Sequence, residues 1–240
     1  MTNFSTDESQ CGACLQQVTC IFSSIASSGI TTQYESGAEV IRKFMPNTGV
    51  HVVCKGVVAL SETVASQRGV ILNLVSDGGI LGIVECSLDL RRYHFSARAL
   101  TDAIVTFFPL SDVQRFCADH TGEMKILAEV CRALRQLEKR YVLLDAAEAS
   151  DRLIATLLWL SGLDKTASDV KATIPFELTS ATLSSLIGAR PETITRMMSQ
   201  FRAEALIGYS DGHIVITNRE SLKARSSLDL SHILIDPMMS

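Results

Sequence analysis

Three cysteines near the start of the chain are spaced for metal chemistry: Cys11-Gly-Ala-Cys14-Leu-Gln-Gln-Val-Thr-Cys20 is a C-x2-C-x5-C run. Thiolates are soft donors, and three of them on a short, charge-free loop suit an iron-sulfur cluster or zinc far better than a hard cation. The same thiols also read as a redox switch, or, for Cys11 and Cys14, as the dithiol of a redox enzyme. A C-x2-C without a following βαβ pattern supports that enzyme poorly. A four-iron cluster takes four protein thiolates. The chain has 7 cysteines, so Cys54, Cys86, Cys117 and Cys131 compete for the fourth place, with Glu85 or Asp102 as oxygen ligands in reserve. Each of those cysteines equally fits the ordinary role of a small buried hydrophobe. The histidines, His51, His94, His120, His213 and His232, stand singly, without His-x-His or His-x3-His spacing. No nucleophile elbow, P-loop or paired catalytic carboxylate pattern occurs. Gly78-Gly79-Ile-Leu-Gly82 reads as a turn needing positive φ, because no helix with Lys or Ser in place opens after it. These residues describe a sensor or a metal protein rather than an enzyme.

The elements that must hold these thiols follow from pattern. With 47% hydrophobic and 20% charged residues, 14 Gly and only 5 Pro among 240, the chain is a folded one of one or two domains. Its stretch from Ser9 to Tyr34 has no charge, but it is crowded with Ser, Thr and Gln and is no membrane span. The early charges are Asp7 and Glu8, and the first basic residue is Arg42, so a secretion signal is not expected. Cytoplasmic placement and reduced thiols follow as expectations. From Tyr34 to about Val113, the runs His51–Cys54, Val57–Leu60, Val70–Val75 and Ala103–Phe108 predict a compact antiparallel barrel or roll. From Glu123, Leu127, Val130, Leu134, Leu137, Tyr141 and Leu144 recur at steps of three and four, an a/d seam on one long helix. Flanked by Glu129, Arg132, Arg135, Glu138 and Lys139, so narrow a stripe fits an identical partner helix, and a homodimer is expected.

A second apolar helix, Asp151 to Ser161, and a polar connector, Gly162 to Thr173, precede a winged helix-turn-helix. Leu178-Thr179 leads into a helix ending near Ile187, Gly188-Ala189-Arg190 turns, and Pro191 starts a helix to about Ala203. Ile194, Met197, Met198 and Phe201 form its inward stripe, leaving Glu192, Thr195, Arg196 and Gln200 outward. Leu206–Tyr209, the turn Asp211-Gly212 and His213–Thr217 make the wing. The net charge of -4 offers no global basic field, so any DNA surface must be local. Such a helix enters the major groove by its N-terminal residues. Arg196 then suits guanine O6 and N7, and Glu192 a cytosine amino group. Arg190, Thr179, Ser180 and Gln200 are candidate phosphate contacts.

A β-roll, a long helix and a winged helix in that order, with Ala149-Ser-Asp-Arg-Leu153, Leu178-Thr179 and Pro191-Glu-Thr-Ile-Thr-Arg196, resemble the cyclic-AMP receptor protein and fumarate-nitrate regulator (CRP/FNR) superfamily of bacterial transcription regulators over about residues 10 to 225. The implied fold is α+β: a cysteine-rich cluster-binding segment (residues 1–21), a β-roll sensor domain (22–122), a dimerisation helix (123–150) and a winged helix-turn-helix domain (151–240). The cyclic-nucleotide branch carries Gly-Glu-Leu followed by Arg-Ser or Arg-Thr; here Gly82-Ile83-Val84 and Phe95-Ser96 stand instead, so cyclic AMP is not the expected ligand. The C-x2-C-x5-C run resembles the loop of the oxygen-sensing branch, which implies a 4Fe-4S cluster on Cys11, Cys14, Cys20 and one roll cysteine. The family's roll cysteine aligns with Thr106. Cys86 is the preferred replacement, because the family counterpart of Gly82-Ile-Val-Glu85 lies near the cluster loop. Pro191 and Thr195 imply a TTGA-like palindromic half-site, and double-stranded DNA and RNA polymerase are the implied partners. A superfamily regulator with a small effector in the roll and a cysteine thiol switch is the alternative.

Overall fold

The computed structural model describes residues 20–64, 68–146, 148–163 and 171–228. Cys11 and Cys14 lie outside them. Two compact units divide the described residues, those up to 68 with 72–133, and 69–71 with those from 134 on.

The N-terminal unit opens on a 3₁₀ helix, Ser23–Ser28. Its strands are β1 Ile30–Tyr34, β2 Glu39–Ile41, β3 Gly49–Lys55, β4 Val58–Val64, β5 Arg68–Val75, β6 Ile80–Leu81, β7 Ser96–Ala99 and β8 Ala103–Pro109. They form two four-stranded sheets, ordered β1-β8-β3-β6 and β2-β7-β4-β5. The apolar runs of the sequence are β3, β4, β5 and β8. By contrast, Ser96-Ala-Arg-Ala99 has no β-branched or aromatic residue. It is a strand because β2 and β4 pair with it on either side, tertiary pairing overriding propensity.

Side chains alternate across the first sheet, as the two-residue strand period requires. Val53 and Val105 join Val58, Leu81, Tyr93, Phe95 and Ala97 in the core shared by both sheets. Val50, Val52 and Phe108 join a second core with Phe22, Ile83, Val113, Phe116 and Ile126. The Phe22 ring centroid lies 5.0 Å from those of Phe108 and Phe116. This second core seats three helices, α1 Ile83–Ser87, α2 Leu110–Cys117 and the start of α3 His120–Ala146. The turn expected around Gly82 is thus the entry to α1. Gly82 has φ 84°, and a Cβ there would stand 2.8 Å from the Tyr93 ring, so glycine is required by backbone and by space.

The helix expected over 123–150 is α3, His120–Ala146, one turn earlier at each end. Glu148 is extended, with ψ 159°, and divides it from α4, Ala149–Ser161. Within the seam, Leu127, Leu134, Leu137, Tyr141 and Leu144 are 41% to 69% exposed. Val130 departs from the expected stripe: it is half-buried against the second core, because residues three and four apart on a helix span more than one narrow face.

In the C-terminal unit, α5 Ser180–Ile187 and α6 Pro191–Ala203 are followed by β10 Ile207–Ser210, β11 His213–Ile216 and α7 Arg219–Ala224. A short strand, β9 Ala172–Thr173, completes the sheet β10-β11-β9. It falls at the end of the stretch expected to be a polar connector, and it is a strand because β11 pairs with it, Val215 with Thr173 and Ile216 with Ala172. The buried carboxylate of Asp151 in α4 accepts from the Ser226 hydroxyl and from the hydroxyl and backbone N–H of Ser227, tying α4 to the segment after α7.

Candidate DNA interface and thiol face

Local signals build the helix-turn-helix. The Thr179 hydroxyl caps α5 by accepting from the Thr182 N–H at 3.0 Å. Gly188, at φ 67°, ends that helix in the left-handed region. Pro191 then opens α6, where its missing N–H costs nothing. Ile194, Met197, Met198 and Phe201 are buried, which turns Glu192, Thr195, Arg196, Ser199 and Gln200 outward at helical spacing. Among the described residues no ion pair holds Glu192 or Arg196.

The candidate phosphate contacts divide. Arg190 is exposed at the N-cap of α6 with no side-chain capping bond. Ser180 lies at the first turn of α5, its oxygen 3.3 Å from the Thr195 hydroxyl, which also donates to the Pro191 carbonyl at 3.0 Å. Thr179 is committed as a helix cap. Gln200 is tethered to Glu204 at 2.8 Å, whose carboxylate also takes the Arg225 guanidinium at 3.1 Å. Sequence spacing places Gln200 outward correctly; only the fold supplies Arg225 from α7 to complete that cluster.

On the roll, one face collects the sulfurs. Cys20, Cys86 and Cys117 are half-buried and pack on the second core. Cys54 faces the same side, its sulfur 3.1 Å from the Thr106 hydroxyl. Thr106, where a cysteine aligns in the oxygen-sensing branch, is fully buried, pairs with Val52 on β3 and lies 3.0 Å from the Thr31 hydroxyl on β1. The Cys86 thiol donates to Asn47 Oδ1 at 3.4 Å; burial pushes its pKa up, opposed by that hydrogen bond and reinforced by Glu85. Burial, with Glu123, also pushes the Cys117 thiol up. Cys131 is exposed on α3. Glu85 is buried, and Asp102 is engaged as acceptor for the Ser36 N–H. Among the described residues no three His, Cys, Asp or Glu side chains stand close enough to hold a metal ion.

Known proteins agree with this layout. A cyclic nucleotide-binding domain model matches residues 31–120, and a Crp-like helix-turn-helix domain model matches residues 151–225. The chain is similar to the HTH-type transcriptional regulator Cmr of Mycobacterium tuberculosis, 25% identical over 205 residues that cover 85% of this chain and 79% of that one. It is 22% identical to the global nitrogen regulator of Synechococcus elongatus over 197 residues, 81% and 89% of the two chains. The structure of FixK2 from Bradyrhizobium japonicum has the same fold, with TM-score 0.70 and 21% identity over 83% of this chain and 98% of that one. The curated relatives are regulators, not enzymes, so the dithiol-enzyme reading falls. A cyclic-nucleotide-binding-type roll joined to a Crp-like helix-turn-helix, over well more than half of its length, places the chain in the Crp/FNR family of DNA-binding transcription regulators.

Proposed function

We propose that the chain is a cytoplasmic, homodimeric regulator that reads a TTGA-like palindromic operator and adjusts its affinity to oxygen or redox state through a 4Fe-4S cluster on Cys11, Cys14, Cys20 and Cys86. The observation that carries this reading is the shared seat of Cys20 and Cys86. The last cysteine of the N-terminal run and a roll cysteine more than sixty positions away pack on one apolar core. The donor set fits the group, since soft thiolates in a water-poor wall are what iron-sulfur ligation uses. When bound, the cluster supplies a redox-labile link between the N-terminal segment and the roll.

Phe95, standing where the nucleotide-binding branch has its arginine, is buried beside Tyr93 with ring centroids 5.8 Å apart, a poor seat for a cyclic phosphate. One observation favours the effector alternative. His51 Nδ1 is buried with no hydrogen-bond partner among the described residues, its ring lies 4.9 Å from Phe107 and 6.0 Å from Tyr93, and burial pushes its pKa down to about 4. Anaerobic purification with an absorbance spectrum and iron and sulfide assays separates the readings. A brown protein with about four irons per chain is expected. A colourless protein whose DNA binding requires an added small molecule decides for the effector.

On DNA, Arg196→Ala is expected to cost about 1 to 3 kcal/mol at each half-site and to erase discrimination at one guanine, because a bidentate guanidinium–guanine contact is lost. Competition between operator and random duplex measures this. Equal loss on both would contradict base reading by Arg196.

A further inference from the structure

Beside the base-reading face of α6 lies a recess in the C-terminal unit that takes in Ser180 and Thr195, already candidate DNA contacts, and extends to Arg202 and Tyr209, which the operator reading leaves unused. Ser180 of α5, Thr195, Ser199 and Arg202 of α6 and Tyr209 of β10 line it over an apolar floor that includes Met198. Ser199 and Arg202 continue the ridge of Thr195, three to four residues per step. The Arg202 guanidinium carbon lies 5.8 Å from the Tyr209 ring centroid, and among the described residues no carboxylate pairs with it. Nearby Glu204 is instead shared by Gln200 and Arg225. The recess therefore presents one uncompensated cation, held over an aromatic face, beside a row of hydroxyls.

That is the chemistry of a phosphodiester site. A guanidinium meets two phosphate oxygens with a planar fork, stacking on Tyr209 restricts its rotamers beforehand, and the Ser180 hydroxyl, which accepts from Thr195, can donate to a remaining phosphate oxygen, whereas the Thr195 and Ser199 hydroxyls donate to the Pro191 and Thr195 carbonyls. Arg202 is six residues beyond Arg196, about 9 Å along the helix axis, which suits a contact outside the bases that Glu192 and Arg196 read. We propose that this recess seats a backbone phosphate of the bound DNA, with Arg202 as its principal ligand and Tyr209 as the platform that orients Arg202. This rests on the DNA-binding reading and extends it to a contact that carries affinity but no sequence information.

The test is equilibrium binding of the full-length protein to a duplex with TTGA half-sites and to a random duplex, across a salt series. Arg202→Gln is expected to weaken both complexes by a similar factor, about fivefold or more, and to lower the slope of log affinity against log salt by about 0.9 per protomer. Arg202→Lys should keep the slope and lose part of the affinity, because the charge remains without the fork. Neutralising single phosphates as methylphosphonates should locate one position whose loss weakens the wild-type complex and leaves Arg202→Gln unaffected. An unchanged slope overturns the proposal, including when the thermal midpoint falls, since a cation in the last turn also stabilises the helix. A loss confined to the TTGA duplex overturns it in favour of base reading. A wild-type protein that binds neither duplex refutes the DNA-binding reading itself.

Discussion

Protein purified anaerobically with alanine at Cys11, Cys14 or Cys20 is expected to carry no iron, no sulfide and no visible chromophore, whereas the wild type is brown. A four-iron cluster takes four protein thiolates, and removing any one leaves an iron without its ligand, so the loss is complete rather than graded. Cys86→Ala should bleach or destabilise the cluster, while Cys117→Ala and Cys131→Ala should not. Cys131 is exposed on α3, and Cys117 ends α2 with no place in the N-terminal run. The second core makes the Cys86 comparison sharp. Cys20, Cys86 and Cys117 share the same apolar seat, so general damage to packing should appear in both the Cys86 and Cys117 variants, and ligand loss in only one. An unaffected spectrum in Cys86→Ala moves the fourth ligand to Cys54, whose sulfur lies 3.1 Å from the hydroxyl of Thr106 at the family's usual position, or to an oxygen ligand. Stoichiometric zinc without colour would refute the cluster altogether.

The second large effect concerns the oligomer. Leu127, Leu134, Leu137, Tyr141 and Leu144 remain exposed on α3, and the flanking charges pair along the same helix, Arg132 with Glu129 and Arg135 with Glu138, so no charge interrupts the stripe. Each aliphatic residue buried between two such helices contributes roughly 1.5 to 3 kcal/mol before association entropy is subtracted. A seam of this kind should survive cluster loss, and cluster-free protein is expected to sediment as a dimer at micromolar concentration. Switching would then alter operator affinity with the oligomeric state constant; the stretch from Ser161 to Thr173 that the sequence offered as a hinge is not one, because Asp151 ties α4 to Ser226 and Ser227 and β9 pairs with the wing within one compact unit. Leu137→Asp is the counterpart: a carboxylate forced into the seam from each chain costs several kcal/mol and should give monomers. A predominantly monomeric cluster-free wild type would show instead that dissociation is the switch.

What the sequence determined by itself was local. Gly188, Pro191 and Asp211-Gly212 announce the turn, the helix start and the wing through backbone geometry that neighbouring residues alone impose, and Asp211 and Gly212 indeed both take positive φ. The inward stripe of α6 and its outward Glu192 and Arg196 follow from helical periodicity, which needs no partner to be legible. The tertiary structure decided whatever depends on pairing between distant segments. β8 lies between β1 and β3, and that order alone brings Thr106 beside Cys54 and Thr31. The same sheet face gathers cysteines far apart in the chain, which no spacing rule could reveal because strand order is set by non-local hydrogen bonding and core closure. Val130 left the seam because the roll's second core competes for it, and Arg202 has an aromatic platform only because β10 folds Tyr209 against it. Short-range conformational preferences are written in adjacent residues, whereas the neighbours that give a thiol or a guanidinium its chemistry are chosen by the packing of the whole chain.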